Sequence, residues 1–255
     1  LLDRQRTVAD LTNVSGGDVM VGNTGSDRMF GQGGPDSVKG NADDDLIEGN
    51  QGSDWLEGNG GEDDVVGGSS SFLASAGGLP LAGAGADLGD PDEVDAVFGG
   101  AGADVLAGDN AVVIRKTTGN SAAYNSALAT AYFTSDHTDA VPGWWLAPAT
   151  DRLVRLLDRN TPNSGRFGDD LVAGGSGDDV AFGQDGADWV TGGGGEDAIE
   201  GNGGGDSLFG DRTPTLLEMC RNIDARFDGA YSLVLLNAIG DMLVLLNNDT
   251  EAEPG

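Results

Sequence analysis

Residues 174–209 read GGSGDDVAF GQDGADWVT GGGGEDAIE GNGGGDSLF, four consecutive units of nine residues with one pattern. Each unit has glycine at its first and fourth positions, aspartate at its sixth and an apolar residue at its eighth, and two of the four have glycine at the second. The same phase runs without interruption through six units near the N-terminus, so chance does not explain it. A fixed short period predicts a solenoid in which each unit stacks on its neighbours.

The sixth-position aspartates mark thirteen such units in three runs. They are Asp18, Asp27, Asp36, Asp45, Asp54 and Asp63 in the first run, Asp95 and Asp104 in the second, and Asp170, Asp179, Asp188, Asp197 and Asp206 in the third. The unit at residues 40–48 departs from the pattern, because it reads GNADDDLIE and places Asp43 where glycine is expected. We expect its site to be either distorted or given an extra ligand.

Each unit divides into a glycine-rich turn and a very short strand. Glycine suits the turn because it reaches positive φ without steric cost. Positions seven to nine form the strand, in which only the middle side chain points to the interior. The middle residues are Met20, Met29, Val38, Ile47, Leu56, Val65, Val97, Leu106, Val172, Ala181, Val190, Ile199 and Leu208. The pattern therefore predicts a core stripe that is one residue wide.

A core this thin does not stabilise the fold alone. One buried apolar side chain contributes roughly 1.5–3 kcal/mol, whereas ordering a backbone costs about 1–2 kcal/mol per residue. Aspartates stacked in register also repel one another. A bound hard cation offsets both the thin core and the repulsion between aspartates. Calcium takes six to eight oxygen ligands from carboxylates and carbonyls. Its binding free energy becomes folding free energy.

Disorder is the competing interpretation. A chain with 45 glycines and a net charge of −30 is also typical of disordered linkers. The fixed phase and the apolar residue in each unit argue against disorder when calcium is bound. Without calcium, disorder is the expected state.

These repeats resemble those of the RTX (hemolysin-type) calcium-binding proteins, and the resemblance covers roughly half of the chain. It implies an all-β fold, a right-handed parallel β-roll in which two units make one turn and several calcium ions lie in columns along both edges. On this expectation Asp18, Asp36 and Asp54 share one edge, and Asp27, Asp45 and Asp63 the other. The third run divides into Asp170, Asp188 and Asp206 against Asp179 and Asp197. All thirteen sixth-position aspartates are thus predicted calcium ligands.

The runs and the segments between them predict seven regions. They are an N-terminal lead-in at 1–12, run 1 at 13–68, a loop insertion at 69–89, run 2 at 90–110, a mixed strand and helix insertion at 111–164, run 3 at 165–212, and a C-terminal cap at 213–255. In the larger insertion, AVVIRK at 111–116 indicates a strand. SAAYNSALATAYFTS at 121–135 indicates a helix, and TDRLVRLLDRN at 150–160 a short amphipathic helix. The cap is predicted as a helix and a hairpin that cover one end of the roll.

Six aromatic residues flank core positions and should point outwards: Phe30, Trp55, Phe98, Phe182, Trp189 and Phe209. They predict a docking face, which we expect the insertion and cap to occupy, with another molecule as the alternative. Trp144 and Trp145 form a second aromatic feature. We expect this pair to pack the insertion onto the surface of the roll; the alternative is a platform that binds a ligand.

Composition and the absence of known motifs disfavour several classes of function. The excess of 43 Asp and Glu over 13 Lys and Arg disfavours nucleic acid and anionic membranes as partners. No stretch has the length of a membrane-spanning helix. Cys220 is the only cysteine, so no internal disulfide forms. His137 is the only histidine, and no nucleophile elbow or Walker A motif is present, so we predict that the chain is not an enzyme.

Two functional hypotheses remain. The first is a calcium-binding RTX β-roll region of a secreted or cell-surface structural or adhesive protein, with calcium, other copies of itself or cell-surface components as partners. The second is the secretion and folding module of a secreted enzyme (protease, lipase or polysaccharide-modifying) whose catalytic domain lies outside this chain. The resemblance implies type I secretion in both cases, with folding on contact with extracellular calcium. A start without methionine suggests a piece of something longer.

Overall fold

A computed structural model of the chain describes residues 16–70, 93–116, 119, 122, 124–125, 145–146, 152–157 and 168–211. Their strands are β1 Val19–Thr24, β2 Arg28–Gly33, β3 Ser37–Ala42, β4 Leu46–Gln51, β5 Trp55–Gly60, β6 Asp64–Val66, β7 Ala96–Ala101, β8 Val105–Ala107, β9 Ala111–Arg115, β10 Trp145–Leu146, β11 Arg152–Leu156, β12 Leu171–Ser176, β13 Val180–Gly186, β14 Trp189–Gly194, β15 Ala198–Gly204 and β16 Ser207–Phe209. No helix of the described residues is long and apolar enough to cross a membrane.

The repeat strands build two parallel sheets that face each other. Strands alternate between a seven-stranded sheet, in the order β1-β3-β5-β7-β12-β14-β16, and a six-stranded sheet, in the order β15-β13-β8-β6-β4-β2. Two consecutive units therefore complete one coil. Pairing within a run advances by two units, as in Met20↔Val38 and Met29↔Ile47. The predicted parallel β-roll is confirmed.

The three runs form one continuous roll. Strand β5 pairs with β7 across the first insertion, at Leu56↔Val97, and β7 pairs with β12 across the second, at Val97↔Val172. The six-stranded sheet is continuous in the same way, because β8 pairs with both β6 and β13. The register of the roll is therefore the same on both sides of each insertion.

The core lies between the two sheets and follows the predicted stripe. Its buried residues are Met29, Val38, Ile47, Leu56, Val65, Val97, Leu106, Val172, Ala181 and Val190, with Met20 and Ile199 partly buried against them. Leu208, on the last strand, is 45% exposed because no further coil of the described residues follows it. The core is thus one residue wide and ends at the terminal coils.

A small antiparallel sheet, in the order β10-β11-β9, covers part of the outer surface of the roll. Val113 of β9 and Val154 of β11 pack against outward-pointing residues of the six-stranded sheet, among them Val105 and Phe182. The predicted strand at 111–116 is confirmed as β9. For Phe182, the insertion is the docking partner that the outward aromatic residues predicted.

The amphipathic helix predicted at 150–160 is wrong: Arg152–Leu156 is the strand β11. Apolar residues at 153, 154, 156 and 157 fit a helical face, but 154 and 156 also fit the alternation of a strand. Pairing with β9, at Val154↔Val113, decides in favour of the strand, because it satisfies the backbone on an apolar surface.

Several other predicted features fall largely outside the described residues. Of the helix predicted at 121–135, only Ala122, Tyr124 and Asn125 are described, and these three are helical. Trp145 contributes to the two-residue strand β10, whereas Trp144, the N-terminal lead-in and the C-terminal cap lie outside the described residues.

Candidate metal centre

The sixth-position aspartates stack in two columns, one along each edge of the roll. In each column the Oδ1 of an aspartate accepts a hydrogen bond from the backbone N–H of the aspartate one coil earlier. Column 1 has N···O distances of 2.7–3.0 Å and consists of Asp18, Asp36, Asp54, Asp95, Asp170, Asp188 and Asp206. Column 2 has distances of 2.7–3.1 Å and consists of Asp27, Asp45, Asp63, Asp104, Asp179 and Asp197.

All thirteen predicted site residues thus lie in one of the two columns, divided between the edges as the repeat phase predicts. The structure also extends each column across both insertions, since Asp54 is joined to Asp95 and Asp95 to Asp170. Their role as metal ligands stays a prediction, which the chemistry of the second carboxylate oxygen addresses.

The other carboxylate oxygen, Oδ2, is buried without a hydrogen-bond partner in much of the two columns. This holds for Asp27, Asp36, Asp45, Asp54, Asp63, Asp104, Asp179 and Asp197. Burial of a charged oxygen without compensation is costly, and native proteins rarely leave such a group unsatisfied. A bound cation would satisfy these oxygens.

Each Oδ2 faces a glycine at the first position of a repeat unit. A Cβ placed on Gly22 would lie 2.7 Å from Asp27 Oδ2 and 2.7 Å from the carbonyl oxygen of Gly40. The same convergence recurs at Gly31, Gly49, Gly99 and Gly174, each with its own aspartate and a glycine carbonyl of the next coil. The glycines thereby keep open a cradle lined by oxygens from two neighbouring coils.

The donors in this cradle fit calcium. Among the described residues no three Asp, Glu, His or Cys side chains converge on one point, so a site here combines few carboxylates with backbone carbonyls. Calcium accepts this mixture at flexible geometry. Zinc sites instead gather several side-chain N and S ligands. The residues present therefore suit a hard, oxygen-binding cation.

The pKa values of the column aspartates also favour a bound cation. Burial raises the pKa of Asp36, Asp63 and Asp179 to about 6, and that of Asp104 to about 8. The backbone hydrogen bond lowers each pKa, and the neighbouring column carboxylates raise it. The pKa of Asp54 is raised well above its ordinary value, first by burial. The metal-free stack therefore resists ionisation, and a cation would reverse that preference.

The irregular unit at 40–48 keeps the geometry of the repeat. Asp43 adopts φ 73° at the position where most other units have glycine, which aspartate tolerates better than most residues. Its Oδ2 accepts the N–H of Gly25 at 2.9 Å. Asp45 remains in column 2, bonded to Asp27 and to Asp63. The distortion considered for this site does not occur.

Sequence reasoning missed a second class of carboxylate, which lies beside the columns. Asp44 and Asp178, at the fifth position of their units, accept the N–H of Glu62 and Glu196 one coil on. In the sequence, each of these residues directly precedes a column aspartate, and only that second aspartate is at position six of its unit. This pairing of two aspartates could have indicated them.

Asp64 is a further missed residue, and it joins the insertion to the roll. Its two oxygens bind Arg152 Nε at 2.8 Å and Arg115 Nε at 2.7 Å. Arg152 and Asp64 are both only 2% exposed. Nothing in the local sequence pairs residues so far apart, so this contact was not predictable from the repeat.

A comparison with protein families also identifies these repeats as calcium-binding. The model of the RTX calcium-binding nonapeptide repeat matches residues 13–47, 39–71, 92–111, 164–199 and 182–212, together about half of the chain. Neither the curated proteins nor the solved structures yield a match. The matched ranges contain every aspartate of the two columns. The chain belongs to the family of proteins with RTX calcium-binding nonapeptide repeats.

Proposed function

We propose that this chain is a calcium-folded structural or adhesive element of a secreted or cell-surface protein, and that it has no catalytic role. Calcium binding by the β-roll follows from the family. The proposal adds that calcium occupies both columns, that its binding drives folding, and that this happens outside the cell.

The buried Oδ2 atoms of the columns are the observation that carries the proposal. Eight of them have no hydrogen-bond partner, and the core between the sheets is a single stripe of side chains. The metal-free roll therefore combines weak hydrophobic stabilisation with the cost of burying carboxylates, to which repulsion between neighbouring aspartates adds. Calcium removes the repulsion and links neighbouring coils, so its binding free energy supplies the missing stability.

The need for calcium also supports an extracellular location. RTX repeats are typical of secreted proteins, and cytosolic calcium is too low to fill such sites. The chain would stay unfolded in the cell, which suits passage through a narrow export channel, and fold outside. With Cys220 as its only cysteine, the chain has no internal disulfide that could replace calcium as a stabiliser.

A structural role fits the uniformity of the roll. The same cradle recurs along both edges, from Gly22 to Gly174, and the polar groups of the columns are used in stacking. An element of this kind gives a stiff spacer whose length is set by its number of coils.

Far-UV circular dichroism tests the proposal, with the full chain titrated with calcium from a chelator and with magnesium as the control. We expect a cooperative transition from coil to β-sheet at sub-millimolar to millimolar calcium and none with magnesium. A chain that is already rich in β-sheet in chelator, and indifferent to calcium, would overturn the proposal.

A further inference from the structure

The second insertion leaves the roll from inside a turn of column 1. Residues 108–110 and 168–173 together read GDN and GDDLVA, one complete repeat unit with Asp170 at its sixth position. A Cβ on Gly108 would meet Asp170 Oδ2 and the carbonyl oxygen of Gly183, the same contacts as in an uninterrupted unit. The insertion therefore starts and ends at the edge of the roll that carries column 1.

The strands of the insertion carry the chain from that edge to the other. β9 starts at Ala111, directly after the turn, and Leu157 donates its N–H to the carbonyl of Asn110 at 3.0 Å. β9 and β11 are antiparallel, and Arg115 lies opposite Arg152 at the far end of the pair. Both arginines contact turns of column 2.

These contacts are with the residues that directly precede two column aspartates. Arg115 donates from Nη2 to the carbonyl of the residue before Asp63, and Arg152 donates from Nη1 to the carbonyl of the residue before Asp104. The two acceptors are Glu62 and Ala103. Asp63 and Asp104 are successive members of column 2, since the N–H of the first binds Oδ1 of the second. Two guanidinium groups therefore lie beside the centre of column 2.

The charge of these groups is only partly matched by buried carboxylate. Asp64 binds both arginines and carries one negative charge, so the three side chains together are positively charged. Further ion pairs, with Asp44 at 3.4 Å and Glu62 at 3.8 Å, involve exposed carboxylates, whose contribution water screens. Arg152 is 2% exposed, and its Nη2 is buried without a hydrogen-bond partner.

The arginines also act on the column carboxylates themselves. Burial raises the pKa of Asp63 and of Asp104, whereas Arg115 lowers the first and Arg152 lowers the second. Burial also raises the pKa of Asp54 in column 1, but its neighbouring charges are carboxylates, which raise the pKa further. The two columns therefore differ in the charges that surround them.

We propose that Arg115 and Arg152 act as fixed counter-cations for the centre of column 2, and that they lower the calcium affinity of the sites at Asp63 and Asp104 relative to column 1. A fixed positive charge repels calcium, and it offsets part of the carboxylate repulsion that calcium would otherwise remove. Column 1 then fills before the centre of column 2. This inference rests on the proposed function, because it concerns the same calcium sites.

Asp54→Asn and Asp63→Asn test the difference between the columns. The two aspartates belong to consecutive uninterrupted units, are at most 1% exposed, and accept a backbone N–H on Oδ1 at 2.8 Å. We expect Asp54→Asn to raise the calcium midpoint of folding by on the order of tenfold. Asp63→Asn should raise it by less than about threefold, since the site beside Arg115 fills last. Circular dichroism during calcium titration measures both.

Removal of the arginine should abolish this difference. Arg115→Gln removes the charge next to Asp63 and keeps a polar side chain. In that background Asp63→Asn should raise the midpoint as much as Asp54→Asn does, each compared with Arg115→Gln itself. If Arg115 only holds Asp64, its loss shifts the starting midpoint and leaves the effect of Asp63→Asn unchanged. That result, or equal effects of the two asparagine variants in the wild-type chain, would overturn the inference.

Crystals of the wild-type chain transferred to decreasing calcium provide a test that needs no variant. The anomalous peaks beside Asp63 and Asp104 should weaken at a higher calcium concentration than the peak beside Asp54. Peaks that weaken together would overturn the inference and leave the proposed function intact. A folded roll with no peaks in either column would overturn the proposed function.

Discussion

At the scale of the residue, the two oxygens of each column aspartate have different partners. In Asp179, Oδ1 accepts the N–H of Asp104 at 2.9 Å, whereas Oδ2 is buried without a hydrogen-bond partner. The first oxygen holds the coils in register, and the second faces the glycine cradle. A substitution that keeps one oxygen and removes the other separates these two roles.

Asp179→Asn separates the two roles, because asparagine keeps one oxygen that can accept the N–H of Asp104 and has an uncharged NH2 group in place of the second oxygen. We expect calcium affinity to fall by on the order of tenfold, since affinity depends on the number of charged ligands. Asp178→Asn is the matched control: Asp178 also accepts a backbone N–H one coil on, but it lies outside the columns. Calcium titrations followed by circular dichroism measure both. Equal effects of the two substitutions would contradict the division into columns.

The glycine that faces Oδ2 allows a second substitution. A Cβ on Gly49 would collide with Asp54 Oδ2 and the carbonyl of Gly67, and overpacking of this kind costs about 1–3 kcal/mol. We therefore expect Gly49→Ala to raise the calcium midpoint of folding. Gly205→Ala is the control, because nothing lies within 4 Å of a Cβ at that position. A Gly49→Ala chain that folds at the wild-type calcium concentration would show that the cradle is not needed.

The sequence predicted the column residues because the repeat phase alone determines them. Asp45 and Asp179 are distinguished from their neighbours Asp44 and Asp178 by position six, and the structure places them accordingly. The division of labour between Oδ1 and Oδ2 was beyond the sequence, since it depends on how two coils meet. The left-handed backbone of Asp43 was equally out of reach, because the sequence left open whether this site is distorted or gains an extra ligand.

At the scale of the element, the insertion sheet is attached to the roll by both packing and charge. Strands β9 and β11 bury apolar residues against the six-stranded sheet. Arg115 and Arg152 together bind Asp64 of β6. The insertion therefore stabilises the middle coils through contacts that involve no metal.

Removal of one arginine tests this attachment. Arg152→Ala leaves the buried Asp64 with Arg115 alone, and breaking a buried ion pair costs about 3–5 kcal/mol. We expect a loss near the lower limit, about 3 kcal/mol, because one partner remains. Urea unfolding at saturating calcium measures it. Arg28→Ala, on an exposed side chain of β2, is the control and should change stability little. Similar unfolding free energies for both variants would show that the ion pair does not hold the insertion.

Prediction from sequence was reliable for the repeat strands and weaker for the insertion. Each repeat strand is specified by its own nine residues and by neighbours with the same pattern, so local pattern and tertiary pairing agree. Strand β11 has no repeat to follow, and its apolar spacing suits either a helix or a strand. Its partner β9 lies about forty residues earlier, and only the folded chain brings the two together.

At the scale of the whole molecule, the roll is continuous although the sequence interrupts it twice. Residues 54 and 95, and then 95 and 170, are bonded as neighbouring members of column 1. Two long columns of like charge thus run along one particle. The stability of that particle depends on how this charge is neutralised, either by calcium or by protons.

Acidification should therefore stabilise the metal-free roll. The folded-state pKa is about 6 for Asp36 and Asp63 and about 8 for Asp104, against an ordinary value of 3.8. Because the folded pKa is the higher one, each group contributes stability that is complete below pH 3.8 and is lost as the pH rises through 6 to 8. In chelator we expect the circular dichroism signal of β-sheet to grow as the pH falls from 8 to 5.

The same carboxylates predict the opposite trend with calcium. Protons compete for the oxygens that bind the metal, so the calcium midpoint should rise as the pH falls over the same range. A midpoint that stays constant between pH 8 and 5 would place calcium away from the columns.

Anomalous diffraction from crystals grown with calcium would show whether calcium lies along both aspartate columns. We predict two rows of anomalous peaks beside the Oδ2 atoms, with peaks about 4.8 Å apart along each row, the spacing of adjacent strands. Crystals of the folded roll with no peaks beside Oδ2, or with calcium only at scattered surface carboxylates, would show that the columns do not bind calcium.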